Sequence, residues 1–140
     1  MRVLFDTNIV LDVLAERDPY HKDAATLFAA VDRGWLTGLL CATTITTIHY
    51  IARQTLGAAK TREHLRKILS MFTIAPVTHA VIVAALELDF PDYEDAVLHE
   101  AAASADATGI VTRNTKDFHR SRLRIYSPPE LVATLRTLHP

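Results

Sequence analysis

Apolar and polar positions alternate in blocks along the chain. RVLF (2–5) is a short apolar run broken by Asp-Thr-Asn, and the IVLDVL that follows sets its apolar residues on one helical face, with Arg17, Asp18 and Pro19 closing the turn. This predicts a strand and then a helix. A longer helix is predicted at about 20–33, where Ala24, Leu27, Phe28 and Val31 share a face and Gly34 stops the run. LTGLLCAT (36–43) is a second strand. Ile45, Ile48 and Ile51 then recur with helical period over 44–56, and Thr61 is placed to cap a further helix carrying Leu65, Ile68 and Leu69. FTIAPV (72–77) is a third strand, and HAVIVAALEL (79–88) and DYEDAVLHEAAASADA (92–107) are helices, the second started by Pro91. GIVT and RIYS complete the strands, and Pro129 opens a last helix through about Leu138. Strands alternating with helices predict an α/β fold: a three-layer α/β/α sandwich with a central, mostly parallel five-stranded sheet. Sites in such sheets form at the carboxyl ends of strands, near the point where strand order reverses.

Composition narrows the picture. At 140 residues, 49% hydrophobic and 22% charged, the chain has the length and make-up of a single folded domain spanning 1–140, not of a disordered segment. One cysteine, Cys41, lies in an apolar run and cannot form an internal disulfide. With a charge at the sixth residue and no apolar stretch near the ~18 residues that span a membrane, a cytoplasmic location is expected. The net charge of −1 conceals two basic segments. Arg53, Lys60, Arg62, Arg66 and Lys67 form one, which serves equally as a solvated helix face or a polyanion surface. Arg113, Lys116, Arg120, Arg122 and Arg124 form the other, and it directly follows a candidate acidic site.

That site begins at Asp6, which leaves the first strand where a parallel sheet exposes its crevice, with Asn8 two residues on. The plain alternative is that Asp-Thr-Asn caps the following helix. Asp92 and Asp95 lie three apart at a helix start and share a face, although Asp92 alone makes a good N-cap. Asp95 has no cation near it in sequence and adjoins the buried face AVLHEAAA. His99, four residues further, fits a structural helix position better than a ligand. Thr112, Asn114 and Asp117 gather after the fourth strand in GIVTRNTKDF. Three carboxylates (Asp6, Asp95, Asp117) with an amide and a hydroxyl are all oxygen donors, which suit Mg2+ or Mn2+; zinc would want His or Cys at close spacing. Ions so held polarise phosphoryl oxygens and activate water. A phosphate-cradling glycine loop is absent, the four glycines being scattered.

With these residues in place the chain resembles a PIN-domain nuclease. VLFDTNIVLDVLAERDPY, ITTIHYIARQ, DFPDYEDAVLHEAAASADATGIVTRNTKDF and RIYSPPELV follow the family's order and spacing over almost the whole length. The resemblance implies metal-dependent cleavage of RNA, often by toxins of bacterial toxin-antitoxin modules that are homodimeric and held inactive by a small antitoxin. It implies Asp6, Asp95 and Asp117 as catalytic metal ligands, supported by Asn8, Thr112 and Asn114; from the charge run that follows, Arg113, Lys116 and Arg120 are expected to guide RNA. The chain departs at the family's second acid, where Thr47 stands and the whole helix lacks a carboxylate; Asp92 or a water held by Thr47 are the available substitutes. That departure motivates an alternative, a degenerate PIN fold that binds RNA or a protein without cutting. A phosphatase-like transferase using an aspartyl nucleophile is disfavoured by the absence of a DxD and of a well-placed lysine. Apolar surface on helices 20–33 or 44–56 is expected to pair two subunits.

Overall fold

The computed structural model describes residues 1–140. Five strands form one sheet: β1 (Arg2–Phe5), β2 (Thr37–Cys41), β3 (Thr73–Ala75), β4 (Gly109–Val111) and β5 (Arg124–Tyr126). Their order is β3-β2-β1-β4-β5, and every neighbouring pair is parallel. The chain winds outward from β1 to β2 and β3, then crosses to the other side of β1 for β4 and β5. The order therefore reverses between β1 and β4, and a crevice opens there beyond the strand ends.

Seven helices cover the sheet: α1 (Thr7–Leu14), α2 (His21–Asp32), α3 (Ala42–Leu56), α4 (Ala58–Met71), α5 (His79–Leu86), α6 (Tyr93–Ser104) and α7 (Pro128–Leu138). Side chains alternate across the pleat, so one sheet feeds two cores. Val3, Phe5, Leu40 and Val111 face a cluster built with Ile9, Leu27, Ile48, Ile68 and Leu131 from α1, α2, α3, α4 and α7. Leu4, Leu39, Cys41 and Ile110 face the opposite cluster, with Val81 from α5 and Leu98 from α6. Helices on both faces make the three-layer sandwich that the strand-helix alternation predicts, with a sheet that is parallel throughout.

Close packing fixes β2 beneath α2. A Cβ on Gly38 would lie 2.5 Å from the Phe72 ring and 2.9 Å from Val31, so glycine is required for this approach. Phe72 in turn packs edge-on to Phe5 with ring centroids 5.1 Å apart.

Several local expectations change. Thr61 does not cap a helix; it is buried inside α4, which begins after Gly57 at a φ of +80° that favours glycine. The second strand ends at Cys41 because α3 starts at the next residue. Pro128, not Pro129, is the first residue of α7, where Ser127 and Glu130 complete a capping box. A 3-10 turn, Thr115–Phe118, appears where sequence periodicity is too short to signal one. The exposed apolar side chains concentrate less on α2 and α3 than on α5, where Val83 is 47% and Leu86 66% exposed. HAVIVAAL is apolar around its whole circumference, while it buries Val81 and Ala85. No helix is long and apolar enough to cross a membrane.

Candidate active site

β1 delivers Asp6 to the crevice. The Asp6 amide donates to the Val111 carbonyl at 3.0 Å, carrying the β1–β4 ladder one residue past Phe5, and α1 starts at the next residue. Its carboxylate caps that helix, with Oδ1 accepting from the Thr7 amide at 2.7 Å. The other oxygen accepts from the Thr112 hydroxyl at 2.7 Å and from the Asn8 side-chain amide at 3.4 Å. Asp6 thus serves as helix cap and as crevice residue at once. It is 7% exposed. Burial raises its carboxyl above the ordinary value, and the nearby Asp117 charge adds to this. The hydrogen bonds from Thr112 and Thr7 and the charge of Arg113 oppose the rise.

β4 supplies the facing wall. Thr112 is fully buried, its amide donating to Tyr126 at 2.9 Å, and its hydroxyl accepts from the Asn114 amide at 3.0 Å while donating to Asp6. The 3-10 turn that follows carries Asp117, and the buried ring of Phe118 anchors it. From the other side of the sheet comes α6. Asp92 caps it, accepting from the Glu94 amide at 2.9 Å, and Asp95 lies in the first turn. Burial first, then the charges of Asp6, Asp92, Asp117 and Glu94, push the Asp95 carboxyl up to about 7. The acids of three chain segments therefore share one electrostatic neighbourhood.

His99 stands apart from it. It is 1% exposed, 5.2 Å from the Phe90 ring, with Nδ1 3.4 Å from Glu100, and burial lowers its pKa. Thr47 offers no carboxylate, and its hydroxyl donates to the Thr43 carbonyl one turn back at 3.1 Å. The Thr7 and Thr44 hydroxyls, 2.8 Å apart and buried, bring the first turn of α3 against α1 beside the crevice.

The basic segment is largely spent. Arg113 donates to the buried carboxylate of Asp12 at 2.7 and 3.2 Å and lies over the Tyr20 ring at 4.0 Å. Arg120 pairs with Asp89 at 2.8 Å and Arg122 with Glu100 at 3.4 Å. Of the three residues assigned to RNA, Lys116 is exposed and unpaired, Arg120 is held loosely at the surface, and Arg113 is committed to Asp12. Asp12 itself is a site residue that sequence reasoning missed. Its one signal is an acid inside the apolar stripe IVLDVL, and its partner lies 101 residues away.

The donor chemistry fits a hard divalent cation. All side chains at the crevice are oxygen donors, and the buried Asn8 Oδ1 has no hydrogen-bond partner. As the side chains stand, no three carboxylate, imidazole or thiol groups converge on one point. Mutual repulsion of ionised acids works in that direction.

Fold and site together define an open, parallel α/β protein with an acid cluster at its switch point. Residues 2–116 match the PIN domain, and the chain belongs to that family. It is 22% identical to ribonuclease VapC1 of Aquifex aeolicus over 142 residues, covering 98% of this chain and 97% of the relative. Among solved structures, a toxin-antitoxin complex from Klebsiella pneumoniae is similar at a TM-score of 0.69 and 23% identity, over 90% of this chain and 97% of the other. VapBC2 from Rickettsia felis, bound to a DNA fragment from its promoter, is similar at 0.68 and 18%, over 91% and 98%.

Proposed function

We propose that this chain is a Mg2+- or Mn2+-dependent endoribonuclease, the toxin of a toxin-antitoxin module, held in check by a small antitoxin and active in the cytoplasm as a homodimer. The observation that carries the reading is the crowding of Asp6, Asp92, Asp95 and Asp117 at the carboxyl ends of β1 and β4 and the start of α6, where the nearest arginine, Arg113, is already bound to Asp12. Acids so placed without a cation cost stability, and an active site is where such a cost is retained. The similarity to a ribonuclease and to toxin-antitoxin complexes supports the substrate and the partner.

On this reading Asp6, Asp95 and Asp117 would hold the ion, and the unpartnered Asn8 Oδ1 would be a further oxygen donor for it. When bound, a divalent ion supplies Lewis-acid stabilisation of a phosphoryl oxygen and an acidified water. The chain's own residues prepare the place. Thr112 fixes Asp6 through its hydroxyl, the Thr7 amide fixes the second oxygen, and Asn114 locks Thr112 from the far side. Asp95, its carboxyl pushed up to about 7 by burial and the neighbouring acids, would be a full ligand only in neutral to alkaline solution. Exposed Lys116 is the residue free to meet phosphate.

Thr47 favours a second reading, a domain that binds RNA or a protein without cutting, because its hydroxyl is turned to a helix carbonyl and α3 brings no acid. Cleavage of a labelled, mixed-sequence single-stranded RNA in Mn2+ and in EDTA, with wild type beside Asp6→Asn, separates the two. Metal-dependent cutting lost in the variant is expected; folded wild type that cuts nothing would transfer the assignment to the binding domain.

A further inference from the structure

A second feature lies beside the acid cluster and is not explained by metal binding. A cavity of about 480 Å³ is lined by Pro19, Tyr20, Asp23, Arg113, Asn114 and the Ser127–Pro129 turn. Its walls are stiff. Arg113 is pinned by two hydrogen bonds to buried Asp12, the Tyr20 ring packs on the guanidinium, and Ser127 is locked in the capping box of α7. Asn114 joins it to the crevice, since its amide donates to the same Thr112 hydroxyl that holds Asp6.

The charge of these walls selects what can enter. The Arg113 charge is met by Asp12, which also faces Arg17 at 4.0 Å, and Asp23 adds a carboxylate, so the cavity carries no surplus positive charge to draw phosphate in. What remains is flat surface from the stacked Tyr20–Arg113 pair and the prolines, with polar groups from Asp23 and the exposed Asn114 at its edge. Flat surface with hydrogen-bonding edges is how proteins take unpaired RNA bases. We propose that this cavity is a base subsite, holding one unpaired guanine of the substrate next to the bond that is cut. Guanine is the base with two adjacent N–H donors on one edge, which the acceptor-only Asp23 carboxylate can take together. Uracil offers a single donor there, and adenine and cytosine offer only one amino group.

The proposal rests on the nuclease reading for its place in the reaction, so its test has an arm that needs no cutting. In metal-free protein labelled with nitrogen-15, titration with guanosine is expected to shift the amides of Tyr20, Asp23, Asn114 and Ser127, with apparent affinity at least tenfold above uridine. Asp23→Asn is expected to erase that preference, and Tyr20→Ala to weaken all four nucleosides. Equal effects of the four, or none, would overturn the subsite. The second arm maps cut positions in a randomised RNA. Guanine enriched at one fixed position, and flattened by Asp23→Asn, supports it; cutting without enrichment overturns it. Wild type that shifts with guanosine yet cuts nothing would remove the nuclease reading and keep the cavity as a base-binding site.

Discussion

Replacing Asp95 by asparagine should make the metal-free protein more stable, and the size of the gain follows from its surroundings. The carboxyl is raised from 3.8 to about 7, chiefly by burial and then by Asp6, Asp92, Asp117 and Glu94. At about 1.36 kcal/mol for each unit, that difference sets a ceiling of about 4 kcal/mol. Asp95 is only half-buried, so solvent screening cuts it to about 2 kcal/mol, and the loss of a favourable acid in the first turn of α6 returns about 0.3–1 kcal/mol. The net gain expected is about 1–2 kcal/mol, or roughly 3–8 °C for a chain of this length. Its sign depends on pH. The native state keeps the Asp95 proton between about pH 4 and 7 while the unfolded chain gives it up, so wild-type stability falls as pH rises through that window and levels off above it. Thermal unfolding in EDTA at pH 8 should therefore show the variant above wild type, and at pH 5 the gap should shrink. A variant that melts lower, or a gap unchanged with pH, would mean that Asp95 is a structural element of the helix start and carries no repulsive load. Saturating Mn2+ should reverse the order at pH 8, because only wild type gains from the ion.

Thr112→Val should lose the hydroxyl that Asp6 accepts, lowering stability by about 1.5–3 kcal/mol in urea unfolding and RNA cleavage by tenfold or more; unchanged cleavage would free Asp6 from dependence on that bond. Asp12→Ala leaves the partly exposed Arg113 guanidinium without its carboxylate and should cost about 1–3 kcal/mol, whereas Asp12→Leu with Arg113→Met should recover most of it, and a double variant as unstable as the single would refute the ion-pair account. Thr47→Glu adds a carboxylate beside the Thr7–Thr44 contact and should tighten Mn2+ binding at least tenfold by titration calorimetry; no change would show that this position does not reach the ion.

What could be foreseen from sequence divides by distance along the chain. Strand and helix blocks are local patterns, and they carried the architecture, including Asp6 and Thr112 at strand ends. Asp92 also behaves as its helix-start position implies. The partly buried Asp12–Arg113 pair joins residues 101 apart, and no periodicity announces it. For the same reason the basic run after β4 looked like an open polyanion surface. Its charge is largely cancelled by Asp12, Asp89 and Glu100, each brought there by folding. Thr61 resembles a cap by residue type alone, and burial within α4 overrides that preference.

The bond between Thr112 and Asp6 spans 106 residues, and β1 must wait for β4 before its second edge is paired. Contacts this distant slow folding, because the chain between them must be ordered first. During synthesis at about 5–20 residues per second, the first strand emerges seconds before its partner exists. Asp117 is made later still. A nascent chain therefore carries Asp6 without the hydroxyl that orients it until Thr112 has been made and paired.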